Sequence, residues 1–85
     1  MADTGALLDS VGEAIRAVRT ERGISQEQLS LSTDVHRNYI GGIERGEREP
    51  TVSVIARLAD GLGCTTSRIF QDAERLMDEA GASRT

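Results

Sequence analysis

The stretch Q-E-Q-L-S-L-S-T-D-V-H-R-N-Y-I-G-G-I-E-R-G, residues 26–46, decides the fold. It reads as two short helices joined by a very tight turn. Ser25 stands before it as an N-cap, and Ser25 with Gln28 has the Ser-x-x-Gln spacing of a capping box, in which side chain and backbone satisfy each other's free donors. The first helix is therefore expected over 26–33. The second starts at His36 or Arg37 and runs to Arg45, where Gly46 stops it. Only Asp34 and Val35 lie between them. Ser30 is small, as the close crossing of the two helices requires. Asp34 falls at the turn position that needs φ > 0, which Asp tolerates better than most residues. Val35 buries the turn, while Leu29, Ile40 and Ile43 face the core.

Upstream, Leu8, Val11, Ile15 and Val18 recur at helical spacing and mark one face of a helix over 8–22. Gly23 ends it, and Arg19 and Arg22 sit in its last turn, where the helix dipole favours cations. Downstream of a charged loop, 46–50, Thr51 caps a fourth helix whose apolar residues Val52, Ile55, Leu58, Ala59 and Leu62 keep the period until Gly63. Thr65 caps a fifth helix over 66–80. The fold class is all-α, a five-helix bundle with its helix-turn-helix at helices 2 and 3. A flexible N-terminus is expected over 1–7, one domain over 8–80 and a flexible tail over 81–85.

Composition agrees with a single helical domain. The chain has 85 residues, no Trp, one Tyr, one Phe and one Pro, so the core must be aliphatic. Its single cysteine, Cys64, excludes an internal disulfide and a cysteine-based metal site; it reads as a small buried hydrophobe. With no secretory leader pattern and no apolar run near the roughly 18 residues that cross a bilayer, a cytoplasmic protein without membrane contact is expected. Net charge is −4, which taken alone argues against a polyanionic partner. The distribution of that charge points the other way. Residues 1–15 carry three acids and no base, and residues 58–85 five acids against three bases, whereas 16–57 hold seven arginines against six acids. All ten bases are Arg. Either the guanidinium fork is wanted for phosphate and guanine, or the bias reflects genomic composition.

Residues 11–70 resemble the phage-repressor, Cro-like family of helix-turn-helix regulators (the xenobiotic-response-element group). The motifs that carry the likeness are G-I-S-Q-E-Q-L at 23–29 and Y-I-G-G-I-E-R-G-E-R-E-P at 39–50, with Gly12, Ile15, Arg16, Arg19, Ile55, Ala59, Leu62, Gly63, Ile69 and Phe70 around them. Ser30 stands for the usual alanine, Thr33 for the usual apolar residue and Asp34 for the usual glycine. The resemblance implies that the helix from Arg37 enters the major groove of double-stranded DNA. Base contacts are then expected from His36, Arg37, Asn38, Gly41 and Gly42: Arg37 can fork onto guanine O6/N7 and Asn38 onto adenine N6/N7. His36 either touches a base or phosphate or is an ordinary cap. Gly41 and Gly42, each costly inside a helix by about 0.5–1 kcal/mol, either let the helix lie close to DNA or pack against a neighbour. Phosphate contacts are expected from Gln26 with its backbone N–H, Tyr39, Arg45 and Arg48. Arg48 is alternatively part of a solvated cluster with Glu47 and Glu49. Arg19 and Glu44 are implied as a structural salt bridge.

In the last helix Phe70, Ala73, Leu76 and Met77 continue an apolar stripe. It serves either as a homodimer interface, which a palindromic operator would need, or as a face folded back on the first helix beside Leu7 and Leu8. The expected function is a sequence-specific transcriptional regulator, a repressor or a restriction–modification controller. An antitoxin-like or scaffolding interaction module is the alternative. With one His, one Cys and no paired acids on an apolar face, no catalytic constellation is visible, and neither a cofactor, a metal nor a small-molecule ligand is indicated.

Overall fold

Five helices follow one another in the computed structural model, which describes residues 3–83: α1 (Thr4–Glu21), α2 (Gln26–Thr33), α3 (Arg37–Glu44), α4 (Val52–Leu62) and α5 (Thr66–Ser83). No strand occurs among the described residues. Both elements of the capping box ahead of α2 form: the Ser25 hydroxyl accepts from Gln28 N–H at 3.0 Å, and Gln28 Oε1 accepts from Ser25 N–H at 2.8 Å. Asp34 is the sole described non-glycine residue with positive φ, at 59°, and closes α2 in the left-handed conformation. Thr33, standing where an apolar residue is usual, is buried. Its hydroxyl donates to Leu29 O at 2.6 Å and accepts from Val35 N–H at 3.3 Å, so the polar group costs the core little.

The core is aliphatic throughout. Val11, Ala14, Ile15 and Val18 from α1 meet Leu29, Ile40, Ile43, Ile55, Leu58, Leu62, Ile69 and Ala73. Each helix contributes one stripe, which is the condition for a small bundle to bury enough surface. α1 crosses α3 at Gly12, where a Cβ would run into Ile43 O and stand 3.0 Å from Glu44 O. Only glycine admits the two backbones this closely.

The ends differ from expectation. α1 starts at Thr4, not Leu8: Asp3 caps it by accepting from Ala6 N–H at 2.9 Å, and Leu7 packs on the core. Residues 4–7 are thus a helical turn held by a cap and an apolar anchor. At the other end α5 continues past Ala80 to Ser83, so 81–83 prolong the helix, while 84–85 and 1–2 lie outside the described residues. Expectation for the α5 stripe is also corrected. α5 makes its broadest contact with α1. Ala73 is fully buried in the core, so it cannot meet a partner, and the fold-back alternative takes it; Leu76 packs against the core but is only half-buried. Phe70 is 36% exposed and Met77 half-buried.

Arg22 has a role the sequence did not reveal. Its guanidinium donates to the carbonyls of Leu62 and Gly63, satisfying the free C-terminal end of α4 rather than that of α1.

Candidate nucleic-acid interface

α3 begins where it does because His36 caps it. His36 Nδ1 accepts from Asn38 N–H at 3.1 Å, so one ring nitrogen belongs to the helix end. Arg37 and Asn38 then occupy the first turn, exposed, and neither side chain has a hydrogen-bond or ion-pair partner among the described residues. They line a shallow polar groove with Arg19, Ser25, Gln26 and Glu27. A second groove on the other side of Arg37 is lined by Glu27, Ser30, Leu31 and His36. Leu31 is 79% exposed there, beside two base-contact candidates. Sequence reasoning missed it, since an α2 residue off the apolar stripe carries no periodic signal.

The helix pair is riveted to α1 by one ion pair. Arg19 forks onto Glu44, Nε to Oε2 at 2.7 Å and Nη2 to Oε1 at 2.9 Å, and gives its third donor to Ile24 O at 2.9 Å. Gln26 Nε2 adds a bond to Glu44 Oε1 at 3.0 Å. Glu44 is 9% exposed, so its carboxylate would be costly to bury without these donors. Hydrogen bonding to Glu44 raises the Arg19 pKa above its ordinary value despite the opposing effect of burial.

The expected phosphate contacts all have partners within the chain. Gln26 holds Glu44 through its amide. Arg45 Nε is bound to Glu47 at 2.7 Å on the open surface, which raises its pKa. Tyr39 is half-buried, and its hydroxyl donates to Glu49 O at 3.0 Å. Arg48 lies over the Tyr39 ring at 5.0 Å, a contact that leaves the guanidinium edge free to donate. An anion reaching this face competes with Glu47 for Arg45 and with the Glu49 carbonyl for Tyr39.

Gly41 and Gly42 are corrected as base contacts. Both are buried. Gly42 is covered by the aliphatic part of Arg48, whose Cβ would stand 3.2 Å from an added Cβ, and its carbonyl accepts from Glu47 N–H at 2.8 Å and Arg48 N–H at 3.2 Å. Gly41 lies under the Arg45 guanidinium, 3.0 Å from the Cβ position, with Gln26 Oε1 at 3.6 Å. The cover comes chiefly from the side chains of Arg45 and Arg48, just past the end of α3; of the two glycines only Gly41 also meets another helix, through Gln26 of α2.

A separate apolar cleft of about 150 Å³ opens between α1, α4 and α5, lined by Leu7, Leu8, Val11, Pro50, Ile55 and Phe70. Val52, near it in sequence, is 80% exposed. Cys64 is half-buried, and desolvation pushes its thiol pKa up. Among the described residues no cluster of His, Cys, Asp and Glu is placed to hold a metal, and no helix is long and apolar enough to cross a membrane.

Comparison with known proteins points the same way. The helix-turn-helix family profile matches residues 15–69. The immunity repressor of Bacillus phage phi105 is 33% identical over 70 residues, covering 82% of this chain; the chain spans about half, 49%, of that repressor. The control protein C.SmaI of Serratia marcescens is 37% identical over 60 residues, 71% of either chain. Among solved structures, the restriction–modification controller protein C.Esp1396I, a tetramer in complex with its natural 35 base-pair operator, superposes with a TM-score of 0.77. It is 31% identical and covers 84% of this chain and 93% of its own.

Proposed function

Since the chain belongs to the helix-turn-helix family, we propose that it is a sequence-specific regulator of transcription that binds double-stranded DNA with α3 in the major groove. The observation that carries this reading is the pair Arg37 and Asn38. They stand on the first turn of α3, open to solvent and unengaged among the described residues, with the donor and acceptor sets that read guanine and adenine edges. Arg19 and Gln26 hold Glu44 at the far end of α3, tying the helix to α1 and α2. No cofactor is required, the protein is not an enzyme, and it works in the cytoplasm, where its DNA is.

One recognition helix reads too few base pairs for useful specificity, so the active form is a homodimer on a palindromic operator. Phe70 and Met77 from the α5 stripe, the apolar cleft beside Phe70 and the exposed Val52 support this, as does the assembly of C.Esp1396I on its operator. Repression or controller action follows from where the operator lies relative to a promoter.

Repeated selection from a random duplex pool at near-physiological salt tests the reading. Enrichment of an inverted repeat, with half-sites about one helical turn apart, is the expected result. A folded protein that enriches no sequence overturns it. An enriched single half-site, with the protein monomeric in solution, overturns the dimer alone.

A further inference from the structure

We propose that Arg16 is a DNA-backbone anchor, donating to a phosphodiester in a polar groove between α1, the start of α2 and the end of α3. This rests on the DNA-binding reading above. The groove is lined by Arg16, Arg19, Gln26, Glu44 and Arg45. Beside it, a Cβ added at Gly41 would stand 3.0 Å from the Arg45 guanidinium and 3.6 Å from Gln26 Oε1, so a side chain there would crowd two of the lining residues.

The groove contains three guanidiniums and one carboxylate. That carboxylate, Glu44, already accepts from Arg19 twice and from Gln26. Arg19 commits three of its five N–H donors to Glu44 and Ile24, and Arg45 is held by Glu47. Arg16 is left as the guanidinium with no hydrogen-bond or ion-pair partner among the described residues, exposed one turn before Arg19 on α1. Like charges at this helical spacing repel, so the fold itself gains nothing from placing Arg16 beside Arg19. An anion entering the groove changes the sign of that arrangement. A phosphodiester suits it: it accepts the planar guanidinium fork, it finds further donors in Arg45 and the N-terminus of α2, and it runs alongside a major groove occupied by α3.

The test is fluorescence anisotropy of a random-sequence duplex across a salt series, with the wild type, Arg16→Gln and Arg57→Gln. Arg57 is an exposed arginine on α4, also without a partner among the described residues, and lines none of the grooves beside α3 described above. Losing one phosphate contact lowers the salt slope by about 0.9 and weakens binding about eightfold at about 0.1 M salt. Arg16→Gln is expected to show both, with an unchanged urea midpoint, and Arg57→Gln neither. Equal loss in the two variants overturns the assignment, because net charge alone then explains it. An Arg16→Gln protein as tight as wild type overturns it while leaving the DNA reading intact. A wild type that binds no duplex at any salt overturns the DNA reading itself, and this assignment with it.

Discussion

Replacing Gly12 by Ala sets two known effects against each other, and the structure decides between them. In a helix interior the change gains about 1 kcal/mol of propensity. Against this, the new methyl would run into Ile43 O and stand 3.0 and 3.1 Å from Glu44 O and C. These are backbone atoms of α3, which no rotamer change can move aside. Overpacking of this kind costs about 3 kcal/mol when the neighbour is rigid. The net is a loss of about 2 kcal/mol, or about 8–16 °C in Tm for a domain of this size. Thermal unfolding followed by circular dichroism measures it, and Gly81→Ala is the control: nothing lies within 4 Å of its added Cβ. That variant is expected to be neutral or slightly more stable. Because Gly12 abuts the residues that lead into Glu44, Gly12→Ala is also expected to weaken specific DNA binding through displacement of α3. An unchanged or raised Tm for Gly12→Ala would refute the α1–α3 crossing and the Arg19–Glu44 register that depends on it.

Three further outcomes are expected. Glu44→Ala leaves the largely buried Arg19 without its carboxylate and should cost about 3 kcal/mol in urea unfolding, whereas Arg19→Met with Glu44→Leu should recover most of that loss. Glu47→Gln frees Arg45 and removes a negative charge beside the DNA face, so affinity for duplex should rise by a factor of about two to five, measured by anisotropy; unchanged or weaker binding would exclude Arg45 as a phosphate donor. Burial raises the Cys64 pKa, so its thiolate is scarcer than that of a free cysteine at mildly alkaline pH and gains population only as pH rises further. Iodoacetamide labelling at pH about 8 should be slower in the folded protein than in urea.

The features legible in the sequence are those whose cause is local. The Ser25–Gln28 box, the positive φ at Asp34 and the glycine that ends each of α1 and α4 depend on residues within one turn, and each lies where local chemistry predicts it. The apolar period likewise identified the inward faces of α1 and α3, and that of α4 except at Val52, which it placed on the stripe and the structure leaves 80% exposed at the first position of the helix. What escaped depends on register between distant segments. Nothing local shows that Tyr39 donates to Glu49, that Arg22 reaches the far end of α4 or that Ala73 is fully buried. The pairing of Arg19 with Glu44 came from family resemblance, because helical spacing within α1 does not say what α1 meets. The early start of α1 was legible in principle: Asp3, three residues before Ala6, has the N-cap spacing, but the apolar period starts only at Leu7 and Leu8.

The net charge of −4 and a DNA partner are compatible because the carboxylates are not distributed evenly over the fold. Glu44 is enclosed by Arg19 and Gln26, and Asp72 and Glu79 are matched along α5 by Arg68 and Arg75. These pairs screen one another and contribute little field beyond a Debye length of about 10 Å. Along the α3 face, Arg37 at the first turn and Arg16 beside the last are uncompensated by any ion pair among the described residues, while Glu27 and Glu47 stand close enough to oppose a phosphate. On the proposed docking, such a face attracts DNA weakly at large, and Arg37 and Asn38 supply the firm hold at the right bases. On that docking the acidic remainder disfavours non-specific binding across the many competing sites, and the specificity ratio rises without any increase in the strength of the base contacts.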